Sequence, residues 1–220
     1  MKKVVFFIAL TFAFVSCKNK PSEKSAGAGD AQNVAVASGD EYSLDTVSSV
    51  LNWKGSKPGG EHIGVVSITE GKISSENGKI ISGSFTIDLN TIKDLDLADA
   101  DMNAKLVGHL KSPDFFDVAQ FPTAKFEIVS VTEITNTGAE TKGTHQVTGN
   151  LTMKVVTKSI SFPATIQFSD ASVKAVSEPF TINRTQWGVN YGSKSIFAEL
   201  KDKFINDEII ISLDLSFSKI

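Results

Sequence analysis

Four long stretches of this chain alternate apolar with polar residues, and that period of two limits its fold more than any other feature. Ile81, Gly83, Phe85, Ile87 and Leu89 are interleaved with Ser82, Ser84, Thr86 and Asp88. Val147, Gly149, Leu151 and Met153 alternate with Gln146, Thr148, Asn150 and Thr152. The same rhythm carries Ile160, Phe162, Ala164, Ile166 and Phe168, and again Ile209, Ile211, Leu213, Leu215 and Phe217. Each reads as a strand with one apolar and one polar face, as an antiparallel sheet with a single buried side requires. Weaker strands are expected at 49–54, 62–69, 125–131 and 180–183, with turn signals at Glu70-Gly71, Glu76-Asn77-Gly78 and Asn136-Thr137-Gly138. The exception is 99–111, where Met102, Leu106 and Leu110 recur every four residues behind an acidic start, which predicts one short helix. Sheets this long, apolar on one side, must close over that side as a barrel or a sandwich.

Charge and cysteine content remove several function classes. The 22 Lys and Arg are outnumbered by 25 Asp and Glu, a formal −3, so the broad positive field of a nucleic-acid binder is missing. One Cys excludes an internal disulfide, an iron–sulfur cluster and a Cys-rich zinc site. The aromatic content is greasy, with 15 Phe against 2 Tyr and 2 Trp.

The N-terminus reads as an address. Lys2-Lys3 precede an apolar run from Val4 to Val15, shorter than the roughly 20 residues that span a bilayer and suited to a signal peptide. Cys17 follows directly, and cleavage before it would leave bulky Phe14 where ordinary signal peptidase wants a small residue. The pattern resembles a bacterial lipobox, so residues 1–16 are expected to be a lipoprotein signal peptide and Cys17 the site of lipid attachment. A plain secreted protein with an incidental Cys is the alternative. Residues 18–40 contain no aromatic, Leu or Ile, and 17–40 are expected to form a flexible tether. Lys18-Asn19-Lys20 favours a periplasm-facing anchor, with the outer membrane the expected site. Residues 41–220 are left as one domain.

A conventional active site is missing from the sequence: there is no Gly-x-Ser-x-Gly, phosphate-cradling Gly loop, His-Glu-x-x-His or Gly-x-Gly-x-x-Gly. Asp94, Asp96, Asp99 and Asp101 lack EF-hand spacing, and a solvated acidic helix start is the simpler reading. His62 and His109 could join a carboxylate only if the fold brings them together; otherwise each is a hydrogen-bonded structural residue. His145 opens a strand after a polar loop and is expected to be exposed. Arg184, at the end of an apolar strand, reads equally as a barrel-mouth residue and as a surface ion-pair partner. Trp53 and Trp187 are core anchors or cavity lining.

The chain also resembles the YceI-like family. The resemblance rests on Tyr42-x-Leu44-Asp45, Leu51-x-Trp53, His62-x-Gly64, Gly83-x-Phe85-x-Ile87-Asp88, Phe121-Pro122-x-Ala124-x-Phe126, Val147-x-Gly149-x-Leu151-Thr152, Val156-Thr157-Lys158 and Ile182-x-Arg184 through Gly188. Its most specific piece is His109-Leu110-Lys111-Ser112-x-Asp114-Phe115-Phe116-Asp117-Val118. It implies an all-β, extended, lipocalin-like antiparallel barrel holding a polyisoprenoid-type lipid, and a periplasmic or secreted location. Two departures stand out: Leu106-Val107 where many relatives have Arg-Asp, and Val155 where many have Gly.

On this reading the lipid cavity is expected to be lined by Trp53, Phe85, Ile87, Phe115, Phe116, Phe126, Leu151, Phe162, Phe168, Trp187 and Leu213, with Arg184, His62 and His109 as headgroup candidates. A charged pyrophosphate and a neutral quinone head are equally compatible. The expected partners are a long isoprenoid-type lipid and, through the anchor, a membrane; no nucleic acid, cofactor, metal or catalytic residue is expected. A filled-core envelope barrel without ligand is the alternative, and a metal-dependent hydrolase is a more distant one.

Overall fold

Of the four alternating stretches, 147–153 pairs directly with 160–168, and the other two join them in one sheet through intervening strands. The structure, a computed structural model, describes residues 24–135 and 142–220. Its strands are β1 (Lys24–Ser25), β2 (Gly29–Asp30), β3 (Asp40–Leu44), β4 (Val50–Lys57), β5 (Gly60–Glu76), β6 (Lys79–Asp88), β7 (Lys93–Asp94), β8 (Thr123–Glu133), β9 (His145–Met153), β10 (Val156–Phe168), β11 (Ser172–Ser177), β12 (Phe180–Asn183) and β13 (Glu208–Lys219). One α-helix, α1 (Ala100–Lys111), begins at Asp99, whose carboxylate accepts the Met102 N–H at 2.9 Å.

Neighbouring strands run β5-β6-β8-β9-β10-β11-β13, and β3 and β4 each pair with both β13 and β5. The sheet therefore returns to its own edge and forms a barrel. The Asn77-Gly78 turn between β5 and β6 has positive φ at both residues, 51° and 73°, the geometry that matches the twist of a hairpin. Asn136-Thr137-Gly138 falls outside the described residues, as do residues 1–16 and Cys17.

Three expectations need correction. Glu70-Gly71 is not a turn: β5 runs through it, and Gly71 lies against Leu44 and Phe85, so the missing side chain allows close packing. Ile81 is a bulge residue, because Ser74 pairs with Ser82 while Ser75 pairs with Ile80. Ile81 is therefore only half-buried, while Ile80 is buried.

The third correction concerns residues 24–40, which are not a free tether. β10 and β12 do not pair with each other, and the N-terminal segment fills the seam between them. β1 pairs in parallel with β12, β2 pairs antiparallel with β10, and Ala26 bridges both by donating to Thr181 O and accepting from Ser161 N. Gln32 then exchanges two hydrogen bonds with the buried Asn150 side chain, and Ala35 N–H donates to Ile128 O. Backbone pairing holds this segment, so it needs no greasy side chains.

Candidate functional site

Along every long strand the inward residues divide into two sets. Those toward α1 line a cavity of about 420 Å³, whereas those beyond it belong to the core and do not border it. On β13, Ile209, Ile211 and Leu213 line the cavity and Leu215 and Phe217 do not. On β10 the division falls between Phe162 and Ala164, and on β8 between Phe126 and Ile128.

Phe rings form the floor of the hollow. Phe85 stacks on Phe126 at 5.2 Å, Phe126 meets Phe162 at 5.7 Å, and Phe162 stacks on Phe180 at 4.3 Å and 5°. Phe126 reaches Phe162 across the strand between them because that strand carries Gly149, where a Cβ would collide with the Phe126 ring. The Phe162–Phe180 pair spans the inner side of the β10–β12 seam. The opposite end of the hollow is bounded by α1 through Leu106, His109 and Leu110, together with Phe115, Phe116 and Tyr191.

Of the eleven cavity candidates named from sequence, nine line the hollow: Trp53, Phe85, Ile87, Phe115, Phe116, Phe126, Leu151, Phe162 and Leu213. Phe168 and Trp187 do not. Phe168 lies at the far end of β10, half-buried against the packed core. Trp187 is fully buried, and its Nε1–H donates to Leu151 O at 2.9 Å, which makes it a core anchor. Helix spacing could have flagged Leu106 and Leu110 as wall residues. Nothing in the pattern singled out Tyr191, Lys57 or Lys203, which also line the cavity.

The polar candidates behave differently from one another. Arg184 lines the cavity but is 2% exposed, and it donates to Val189 O, Ile205 O and Asn206 O at 2.7, 3.1 and 3.1 Å. Burial pulls its guanidinium below the ordinary value, opposed by Asp207 at 3.6 Å. The Asp207 carboxyl is pushed up by burial but held below its usual range by Ser193, Ser195 and Arg184. Arg184 thus ties the loop after β12 to the start of β13, which leaves it poorly placed to serve a headgroup.

His109 sits edge-on to Phe115 and Tyr191, at 5.0 and 4.5 Å, with Nε2 3.5 Å from Asp114. His62 belongs to a separate cluster with Asp94 and Asp96 that does not include His109. The Asp96 carboxyl is pushed up by burial, yet the Ile63 N–H, His62 and the neighbouring Asp94 carboxyl hold it below its usual range. Gly64, two residues on, lies against Lys93 O and the Trp53 ring, where no Cβ fits. Trp53 Nε1 is buried and has no hydrogen-bond partner. His145, read as exposed, is half-buried at the start of β9 and accepts or donates one bond with Thr144 Oγ1 at 2.7 Å.

Comparison with known proteins agrees with this architecture. BcnA of Burkholderia cenocepacia superposes with a TM-score of 0.59 at 20% identity, over 79% of this chain and 98% of that one. A polyisoprenoid binding domain from Saccharophagus degradans, implicated in plant cell wall breakdown, gives 0.57 at 18% identity, over 86% and 100%. These likenesses show the fold. A UPF0312 protein of Pseudomonas putida is 34% identical over 128 residues, 57% of this chain; the chain covers 61% of that relative's length. Residues 42–217, from within β3 to within β13, match the YceI-like domain, and the chain belongs to the YceI-like family.

Proposed function

We propose that this chain is an exported, lipid-anchored carrier that holds the apolar chain of one isoprenoid-type lipid in the hollow half of its barrel. The observation that carries this reading is the cavity itself. It holds about 420 Å³, is enclosed by the Phe ladder, Ile, Leu and α1, and lies in the lower half of the roughly 300–1,000 Å³ typical of small-molecule sites. Its size suits a single prenyl chain. A polyisoprenoid binding domain of the same fold supports the choice of ligand class.

The unpartnered Trp53 Nε1–H is a donor on the cavity wall, suited to an oxygen of the lipid's head. Lys57 and Lys203 add positive charge nearby, in the place the sequence reading assigned to Arg184. Each methylene in the hollow gains about 0.8 kcal/mol against water. Against a bilayer, where the chain is already out of water, the gain nearly vanishes, so exchange with membranes is reversible.

Basic Lys2-Lys3, the apolar run and Cys17 support lipid attachment. Cys17 precedes Lys24, the first described residue and one paired with the barrel, by at most about 25 Å of extended chain, which would keep the barrel at the membrane surface.

The test is titration of delipidated protein with a fluorescent polyprenyl ligand, comparing wild type with Gly55→Trp. Gly55 lines the cavity with open space around its Cβ position, so the substitution fills the hollow without a clash. Saturable wild-type binding that falls at least tenfold in the folded variant is expected. Equal binding by the two would put the lipid elsewhere.

A further inference from the structure

One oxygen of the Asp94 carboxylate, Oδ2, has no structural explanation. The Asp94 side chain is wholly inaccessible to solvent, yet Oδ2 has no hydrogen-bond partner. Buried carboxylate oxygens are ordinarily paired, because solvent that would have served them has been removed. His62 Nδ1 faces it from 3.8 Å, beyond hydrogen-bond reach, and that nitrogen is already engaged with Asp96 Oδ2 at 2.9 Å. An Nδ1–H on His62 therefore satisfies Asp96 and leaves the buried Asp94 oxygen unmatched.

We propose that His62, Asp94 and Asp96 form a binding site for one divalent transition-metal cation of the zinc class, ligated by His62 Nδ1 and one oxygen of each carboxylate. The donor atoms lie within 4.8 Å of one another. The 2.9 and 3.8 Å separations bracket the edge, about 3.4 Å, of a tetrahedron with metal–ligand bonds of about 2.0–2.2 Å. A cation at the centre reaches both carboxylates, which a proton on Nδ1 does not.

The remaining oxygens are already fixed, as outer partners fix metal ligands. Asp94 Oδ1 accepts the Leu97 N–H at 2.9 Å and an Asn103 Nδ2–H at 3.1 Å, which ties β7 to α1. Asp96 Oδ1 accepts the Ile63 N–H at 2.7 Å. One imidazole and two carboxylates suit zinc or a neighbouring transition metal. Calcium would need six to eight oxygens, many more than this cluster leaves free. Three protein ligands leave a fourth position open, and His62 itself lines the cavity. The site thus differs in chemistry from the apolar hollow, shares only His62 with its wall, and requires no lipid.

The experiment is calorimetric titration of chelator-treated protein with ZnCl₂, and separately with CaCl₂, using wild type, Asp94→Asn and His62→Ala. One zinc equivalent is expected on wild type, with affinity at least tenfold weaker in each folded variant and calcium far weaker than zinc. Zinc should also raise the melting temperature of wild type but not of Asp94→Asn, because a ligand that binds only the native state stabilises it. Three results overturn the site: no stoichiometric zinc on wild type, zinc binding equal in wild type and Asp94→Asn, or calcium binding as tightly as zinc. In the first case a proton shared between the two carboxylates takes the cation's place.

Discussion

On β13, Leu213 and Leu215 point to the same side of the strand and are equally buried at 6%, yet they stand in different surroundings. Leu213 borders the cavity, whereas Leu215 lies in the hydrophobic core without bordering it, as do Val173, Phe217 and Ile166. The same contrast runs round the barrel, hollow toward α1 and solid away from it. Low solvent exposure therefore does not mean full packing: a side chain can be out of water and still have no atoms against one of its faces.

The contrast is broken most directly by truncation. Leu215→Ala should cost about 3–5 kcal/mol, because a rigid, filled region cannot collapse into the void. Leu213→Ala should stay near about 2 kcal/mol, the lower end for such changes, because the leucine has fewer contacts to lose. Urea denaturation of the two variants measures the difference. Equal losses would mean that the hollow is filled by its own side chains in solution, and the filled-core reading would then apply to the whole barrel.

The same pair shows what the sequence could convey. Alternation told which side of each strand is buried; together with the family resemblance, which brought in Phe115 and Phe116, it named nine wall residues, and the acidic start and four-residue spacing located α1. Alternation could not tell hollow from solid, because that depends on what lies across the barrel, and Leu213 and Leu215 carry identical local signals. Trp187 and Phe168 were assigned to the cavity for this reason. Gly71 and Ile81 misled because a glycine that permits close packing and a bulge residue both resemble ordinary members of their local patterns. The 24–40 segment was missed for another reason. Composition reports side-chain burial, while this segment is held by its backbone and by Asn150, whose interest on the polar face of β9 only the fold reveals.

That segment offers a second, smaller test, since the seam it fills borders the hollow half. Asn150→Ala removes both bonds to Gln32 and should cost about 1–2 kcal/mol. Its more diagnostic effect is local. Amide exchange should speed up at Ser159 and Ser161 on β10 and at Thr181 on β12, while β11 and the far half of β13 keep wild-type protection. Uniform acceleration throughout the barrel would mean that the segment stabilises the whole fold and not its hollow side.

The smallest expected effect comes from the solid half. His145 starts β9 and pairs with Glu133 and Ala164 in the neighbouring strands. Burial lowers its pKa below the ordinary value of 6.5; Glu133 opposes this and Lys79 reinforces it. The folded protein therefore holds this proton less tightly than the unfolded chain does. Its contribution is fully present above the unfolded pKa, about 6.5, and is lost as pH falls through that value toward the lower folded one. The lowered carboxyls of Asp45, Asp96 and Asp207 act in a separate, more acidic window, adding stability above about pH 4 and losing it below. Between pH 7 and 5, the urea midpoint of wild type should fall by more than that of His145→Gln, which carries no titrating group there. If His145→Gln falls by the same amount, the packed end of the barrel admits water at β9 freely enough to solvate the imidazolium, and the boundary between hollow and solid is less sharp than the β13 pair suggests.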